Sequence, residues 1–209
     1  MTFADLTPLM LLAVVHLFAA MSPGASFLVV SRQALASGRA TAVAGALACG
    51  LGALPWAVAA IAGIALLLQQ SPWLYAGMKI AGGLYLLYLA LLVWRHADAP
   101  LNVAAEGGRQ SPMHGFREAF ITQIANPKVV GFFASIFVTV LPIDPSTGLI
   151  AVILFNVFAV EAVWYLAVAV FFSSAGPRAA YTRAKPILDR IMAALLGALG
   201  VKLLWGSQS

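Results

Sequence analysis

Residues 147–173 read TGLIAVILFNVFAVEAVWYLAVAVFFS, and the only charged side chain among them is Glu161. A helix needs about 20 consecutive, mostly apolar residues to cross a bilayer. The run therefore predicts a membrane-spanning helix with one carboxyl group held deep in its apolar sequence. Outward from it, apolar runs separated by turn residues and charges mark five further spans, at residues 6–31, 40–68, 73–94, 116–141 and 187–205. The fold class that follows is an all-α integral membrane protein with six transmembrane helices.

Composition agrees with that class. Of the 209 residues, 62% are hydrophobic and 9% charged, where a soluble domain is roughly half apolar and about a quarter charged. A soluble core of this length cannot hide so much apolar surface, whereas lipid accepts it. The net charge of +5 is accounted for by orientation in a membrane, without a nucleic-acid partner. Cys49 is the single cysteine, so the chain forms no internal disulfide, paired-thiol redox site or cysteine zinc cluster. Asp5 stands before the first apolar run, where a secretory signal carries positive charge, so this first span is expected to be retained.

Punctuation sets the register of the helices. Thr7-Pro8 and Ser71-Pro72 each place a capping hydroxyl before a proline suited to a first turn, and Ser146 and Pro186 are expected to start the last two spans in the same way. Residues 95–115 are the only long polar connector, containing Asp98, Pro100, Asn102, Glu106, Gly107 and Gly108. They divide the chain into a first repeat, 1–94, and a second, 116–209. Lys79-Ile-Ala-Gly-Gly-Leu84 through Trp94 lies without a gap on Arg190-Ile-Met-Ala-Ala-Leu195 through Trp205, and Ser22-Pro23-Gly24 lies on Asn126-Pro127-Lys128 at a similar shift. Three spans per half is an odd number, so two such copies must be inverted relative to each other, an arrangement found in transporters. The first, third and fifth connectors carry Arg32, Arg39, Arg95, Arg109, Arg117, Arg178, Arg183, Lys185 and Arg190, whereas the second and fourth carry no lysine or arginine. The positive-inside bias turns the basic connectors to the cytoplasm and both termini outward.

Candidate functional residues are those whose presence in hydrocarbon is costly unless they face a packed or watered interior. Pro23 removes a backbone donor between Ser22 and Gly24, which frees carbonyls around Ala19 and Ala20 for a substrate, a water or nothing more than a packing kink. Thr122, Gln123, Asn126, Pro127 and Lys128 form the densest polar cluster in any apolar run. Thr122 and Asn126 share a face at helical spacing, and the Lys128 ammonium is expected inside the protein, opposite a substrate carboxylate or an internal acid. Glu161 is suited to carry a proton between two solvents or to hold a substrate amine; a structural pair with Lys128 is the alternative. Trp164 and Tyr165 follow one turn on and can wall a pocket. His16 faces the same side as Pro23, as a proton relay or a hydrogen-bonding partner of a neighbouring helix. Gly45, Cys49 and Gly52 form a small-residue stripe for close helix packing; Tyr85 and Tyr88 can reach a pore, and Tyr88 can equally anchor at the interface.

These motifs together resemble the LysE/RhtB family of amino-acid exporters over nearly the whole chain. The resemblance rests on Ser22-Pro23-Gly24 with Phe27-Leu28, Lys79 with Ala81-Gly82 and Tyr85 to Leu89, Asn126-Pro127-Lys128 with Phe132-Phe133, and Glu161 with Trp164-Tyr165. Ala25 stands where the family commonly has a second proline, and Glu161 where it often has aspartate. The resemblance implies export of amino acids or close derivatives from a bacterial cytoplasm across the inner membrane, driven by the proton gradient. The expected partners are that substrate, protons and the lipid bilayer, with a homo-oligomer left open. No catalytic residue, metal ligand set or cofactor is expected. Metal export, a redox relay and a lipid-modifying enzyme are the competing readings; they need soft ligands, a thiol pair or clustered acids that the spans do not supply.

Overall fold

A computed structural model describes residues 3–70, 72–101, 103, 108–141 and 145–205. Ser71, Asn102, Glu106, Gly107 and both chain ends lie outside the described residues, and with them the Ser71 cap and much of the polar connector. Eight helices follow in order: α1 Phe3–Met21, α2 Ala25–Ala36, α3 Arg39–Gln70, α4 Pro72–Arg95, α5 Pro112–Ile124, α6 Pro127–Val140, α7 Thr147–Phe172 and α8 Ala175–Trp205. Among the described residues there is no strand.

Three of these helices are long and apolar enough to cross a membrane, in α3, α4 and α7, or up to five spans exist if each of two bent pairs counts as one. The bent pairs are α1 with α2, at 59°, and α5 with α6, at 53°. Both predicted proline breaks are therefore present, and each predicted outer span, 6–31 and 116–141, is two helices rather than one. Ser146 caps α7 as expected, its hydroxyl accepting from the Leu149 amide at 3.2 Å.

Two expected helix starts are corrected. Pro8 lies inside α1, which begins at Phe3, and Pro186 lies inside α8, which begins at Ala175. Proline removes one intrahelical hydrogen bond and can kink a helix without ending it. Consequently the charged residues Arg183, Lys185 and Asp189, read from sequence as a connector and its edge, belong to the long helix α8.

The distribution of side chains is that of a protein in lipid. Phe155, Val163 and Trp205 are 70%, 64% and 80% exposed, while His16, Ser26, Gln33, Gln123, Asn126 and Glu161 are buried. In water the arrangement would be costly on both counts. Helices α3 and α7 pack side by side, and α4 packs along α8. The α4–α8 pair is antiparallel and close, because Gly83 faces the Gly200 carbonyl while Ala90 faces Gly197; a side chain at Gly83 would collide with Leu204. Along α3, Gly45 and Gly52 admit α5, with Ala119 against the first and Gln123 against the second.

Candidate functional site

The site is built from the two broken spans. At the first break, Pro23 supplies no amide hydrogen and Gly24 stands as the N-cap of α2 without any side-chain cap. The last carbonyls of α1 are thus left without partners from their own helix. Lys128 satisfies them from the other half of the chain: its ammonium donates to the carbonyls of Ala19 at 2.8 Å and Ser22 at 2.9 Å. A cation at a helix C-terminus also meets the negative end of the helix dipole.

At the second break the chain caps itself. Asn126 accepts from the Lys128 amide at 3.0 Å, and Pro127 fills the first turn of α6, where its missing hydrogen costs nothing. Asn126 is therefore a cap, not a neighbour of Thr122 on one continuous helix. The Asn126 amide also donates to the Ser26 hydroxyl at 3.2 Å, and that hydroxyl donates in turn to the Gln123 side-chain carbonyl. This buried chain of three residues ties the two breaks together. Tyr85 reaches across from α4 to donate to the Pro127 carbonyl at 2.9 Å, so its hydroxyl is engaged at a break, while Tyr88 is 57% exposed.

Behind the breaks lies a buried acid and imidazole. Glu161 Oε1 and His16 Nε2 are 3.1 Å apart, with the two residues 4% and 1% exposed. The imidazole stacks on Phe132 at 5.6 Å and meets the edge of Phe133 at 5.1 Å. His16 Nδ1 and Glu161 Oε2 are buried with no hydrogen-bond partner. Glu161 thus pairs with His16, and no ion pair joins it to Lys128, whose two bonds go to carbonyls.

Two cavities meet at these residues. The inner one, about 20 Å³, is lined by His16, Ala20, Asn126, Phe133, Glu161 and Tyr165 among others, which is room for about one water. The outer one is a vestibule of about 520 Å³ walled by Pro23, Leu92, His96, Leu101, Lys185 and Asp189 among others. Ser22 and Lys128 line both cavities and so form the partition between them.

Most of the residues singled out from sequence converge here. His16, Ser22, Gly24, Asn126, Lys128, Glu161 and Tyr165 line the inner cavity, and Pro23 lines the vestibule. Three do not reach either wall: Gln123 is taken up by Ser26, Pro127 contributes its carbonyl to Tyr85, and Trp164 packs against Tyr181 with ring centres 5.9 Å apart. The sequence reading missed Ser26, Tyr181, Lys185 and Asp189. Lys185 donates to the carbonyls of His96 and Ala97 at the end of α4, each at 2.9 Å, and pairs with Asp189 Oδ2 at 2.9 Å. The i,i+4 spacing of that pair on α8 is the signal that could have found it. Tyr181 donates to the Met21 carbonyl at 2.7 Å, another satisfier of the first break.

Apolar side chains turned outward and polar ones gathered around two helix breaks and a vestibule fit a membrane translocator. The chain belongs to the LysE type translocator family, whose sequence model matches residues 17–207. It is 30% identical to the threonine efflux protein of Escherichia coli strain K12 over 204 residues, 92% of this chain and 95% of that protein. The threonine efflux protein of Salmonella typhi is 29% identical over the same shares, and an uncharacterized membrane protein of Escherichia coli is 29% identical over 88% of this chain and 83% of its own length. No solved structure gives a significant match.

Proposed function

We propose that the protein exports amino acids or close derivatives from the bacterial cytoplasm across the inner membrane by proton antiport. The observation that carries this reading is the partition: a vestibule large enough for a small ligand ends on Lys128 and Ser22, with a buried acid–imidazole pair directly behind them. Binding pockets for small molecules run to about 300–1,000 Å³, so the vestibule fits a substrate and the inner cavity does not. The similarity to threonine efflux proteins favours an amino acid over a metal ion or lipid.

In this reading each bent pair is one membrane span, α8 is the sixth span, and the two halves, 1–94 and 116–209, are inverted repeats joined by residues 95–115. Support comes from the packing: α3 against α7 and α4 against α8 each pair one element with its counterpart, and α2 against α5 mirrors α6 against α1. The basic connectors face the cytoplasm and both termini face outward. His96, Leu101 and Lys185 then put the vestibule mouth on the cytoplasmic side, and the described conformation is open inward.

The cycle follows from where charges sit. A substrate carboxylate entering the vestibule meets Lys128, whose ammonium has three donors and spends two on carbonyls. Occupying the third loads the junction of both breaks. Rocking of one three-helix unit against the other moves the partition and exposes the substrate to the outside. Glu161 then takes a proton from the outside, and His16 holds the carboxyl in place and can pass the proton on; return to the inward state releases it to the cytoplasm. Each outward movement of substrate is thereby paid for by an inward proton.

Purified protein in liposomes preloaded with labelled amino acids, with the outside made acid, tests the reading. Saturable efflux that needs the pH gradient and favours hydroxyl-bearing or small amino acids is the expected result. Flux of none of them, in a preparation that remains folded, would remove the assignment.

A further inference from the structure

We infer that Asp189 and Lys128 form a two-ended clamp in the vestibule that selects substrates carrying both a free amine and a free carboxylate. The inference rests on the exporter reading and names the chemistry its substrates must have.

Lys185 has three donors, and all are spent: His96 carbonyl, Ala97 carbonyl and Asp189 Oδ2. It is a structural strut that fixes the end of α4 to α8 and offers nothing to a ligand. Lys128 keeps one donor. Asp189 uses only Oδ2, and its Oδ1 is buried without a hydrogen-bond partner, the residue being 3% exposed. An unpartnered carboxylate oxygen in a buried setting is costly to leave unmade. Both residues line the same vestibule.

The vestibule therefore has one cationic donor and one anionic acceptor to spare, on walls otherwise formed largely by Leu28, Leu89, Leu92 and Val93. That is the complement of a zwitterion with an apolar or small side chain. Ser22 and Pro23 line the same vestibule, which places the clamp against the first helix break, so that a ligand held at both ends presses on the partition. Glu161 stays behind the partition with His16 and is left to carry protons. A monoamine or a simple carboxylic acid satisfies only one end and leaves the other charge bare.

The test is competition against labelled L-threonine uptake into counterflow-loaded proteoliposomes, with 3-hydroxybutyrate as the analogue lacking the amine and threoninamide as the one lacking the carboxylate. In the wild type both analogues should bind about tenfold or more weakly than threonine, as loss of a charged hydrogen bond implies. Asp189→Asn should raise the KM for threonine by a similar factor while leaving 3-hydroxybutyrate unchanged, so that the preference for the amine collapses. Should Asp189→Asn not reach the membrane, Asp189→Ser, which can still meet Lys185, carries the same expectation. Equal weakening of threonine and 3-hydroxybutyrate, or an unchanged KM, overturns the clamp while leaving export intact. A wild type that moves no amino acid overturns the exporter reading as well.

Discussion

The two helix breaks bend by nearly the same angle, 59° and 53°, and both receive donors from the other half of the chain, yet only one of them has a side-chain cap of its own. The second has a local cap, Asn126 with Pro127 in the first turn, and Trp56 and Tyr85 donate to its Ile124 and Pro127 carbonyls, at 3.0 and 2.9 Å. The first has no side-chain cap and depends on distant residues, with Lys128 and Tyr181 filling its carbonyls. At the first break one residue from the other half, Lys128, makes most of the connection, and the same residue lines the vestibule.

That contrast predicts unequal consequences for mutation. Lys128→Met removes two charge-assisted bonds and leaves two carbonyls bare, so it should abolish transport and lower stability by about 3 kcal/mol or more, read as a fall in the thermal midpoint in detergent. If Lys128→Met is as stable as wild type, the first break is not held from across the molecule. Asn126→Ala removes one cap from a helix that keeps its proline start, and should cost about 1 kcal/mol with transport slowed rather than lost; a loss equal to that of Lys128→Met would make the two joints equivalent. Gly24→Ala should be the mildest. Gly24 has φ −146° and ψ −170°, extended backbone open to any residue, and a Cβ there would lie 3.7 Å from the Lys128 side chain, an ordinary contact. Its effect on the midpoint should correspond to no more than about 0.5 kcal/mol, and a large loss would mean that this joint needs glycine's freedom after all.

The same contrast separates what could be read from the sequence from what could not. Pro23 and Pro127 were legible as breaks because an interrupted apolar run has few other readings, and Glu161 was legible because no local feature explains a carboxyl group there. Lys128 could be placed inside the protein, but its partners, Ala19 and Ser22, are more than a hundred residues away, and no spacing rule reaches that far. The pairing of His16 with Glu161 was hidden for the same reason. Pro8 and Pro186 misled because a hydroxyl or charge beside a proline looks alike at a helix start and within a helix that tolerates a kink. That error moved Lys185 and Asp189 from a helix into a connector. Charged residues near a span edge are read as solvated by default, and only packing against the end of α4 reveals that these two are buried.

In the proposed cycle Glu161, held by His16 behind the Lys128 partition, couples protons to substrate movement. The direct measurement compares exchange with gradient-driven efflux of labelled threonine in proteoliposomes containing Glu161→Gln. Exchange of substrate for substrate at equal pH should persist, because the partition and vestibule are untouched, while efflux driven by external acid should be abolished. Gradient-driven efflux at the wild-type rate in that variant would take Glu161 out of the mechanism.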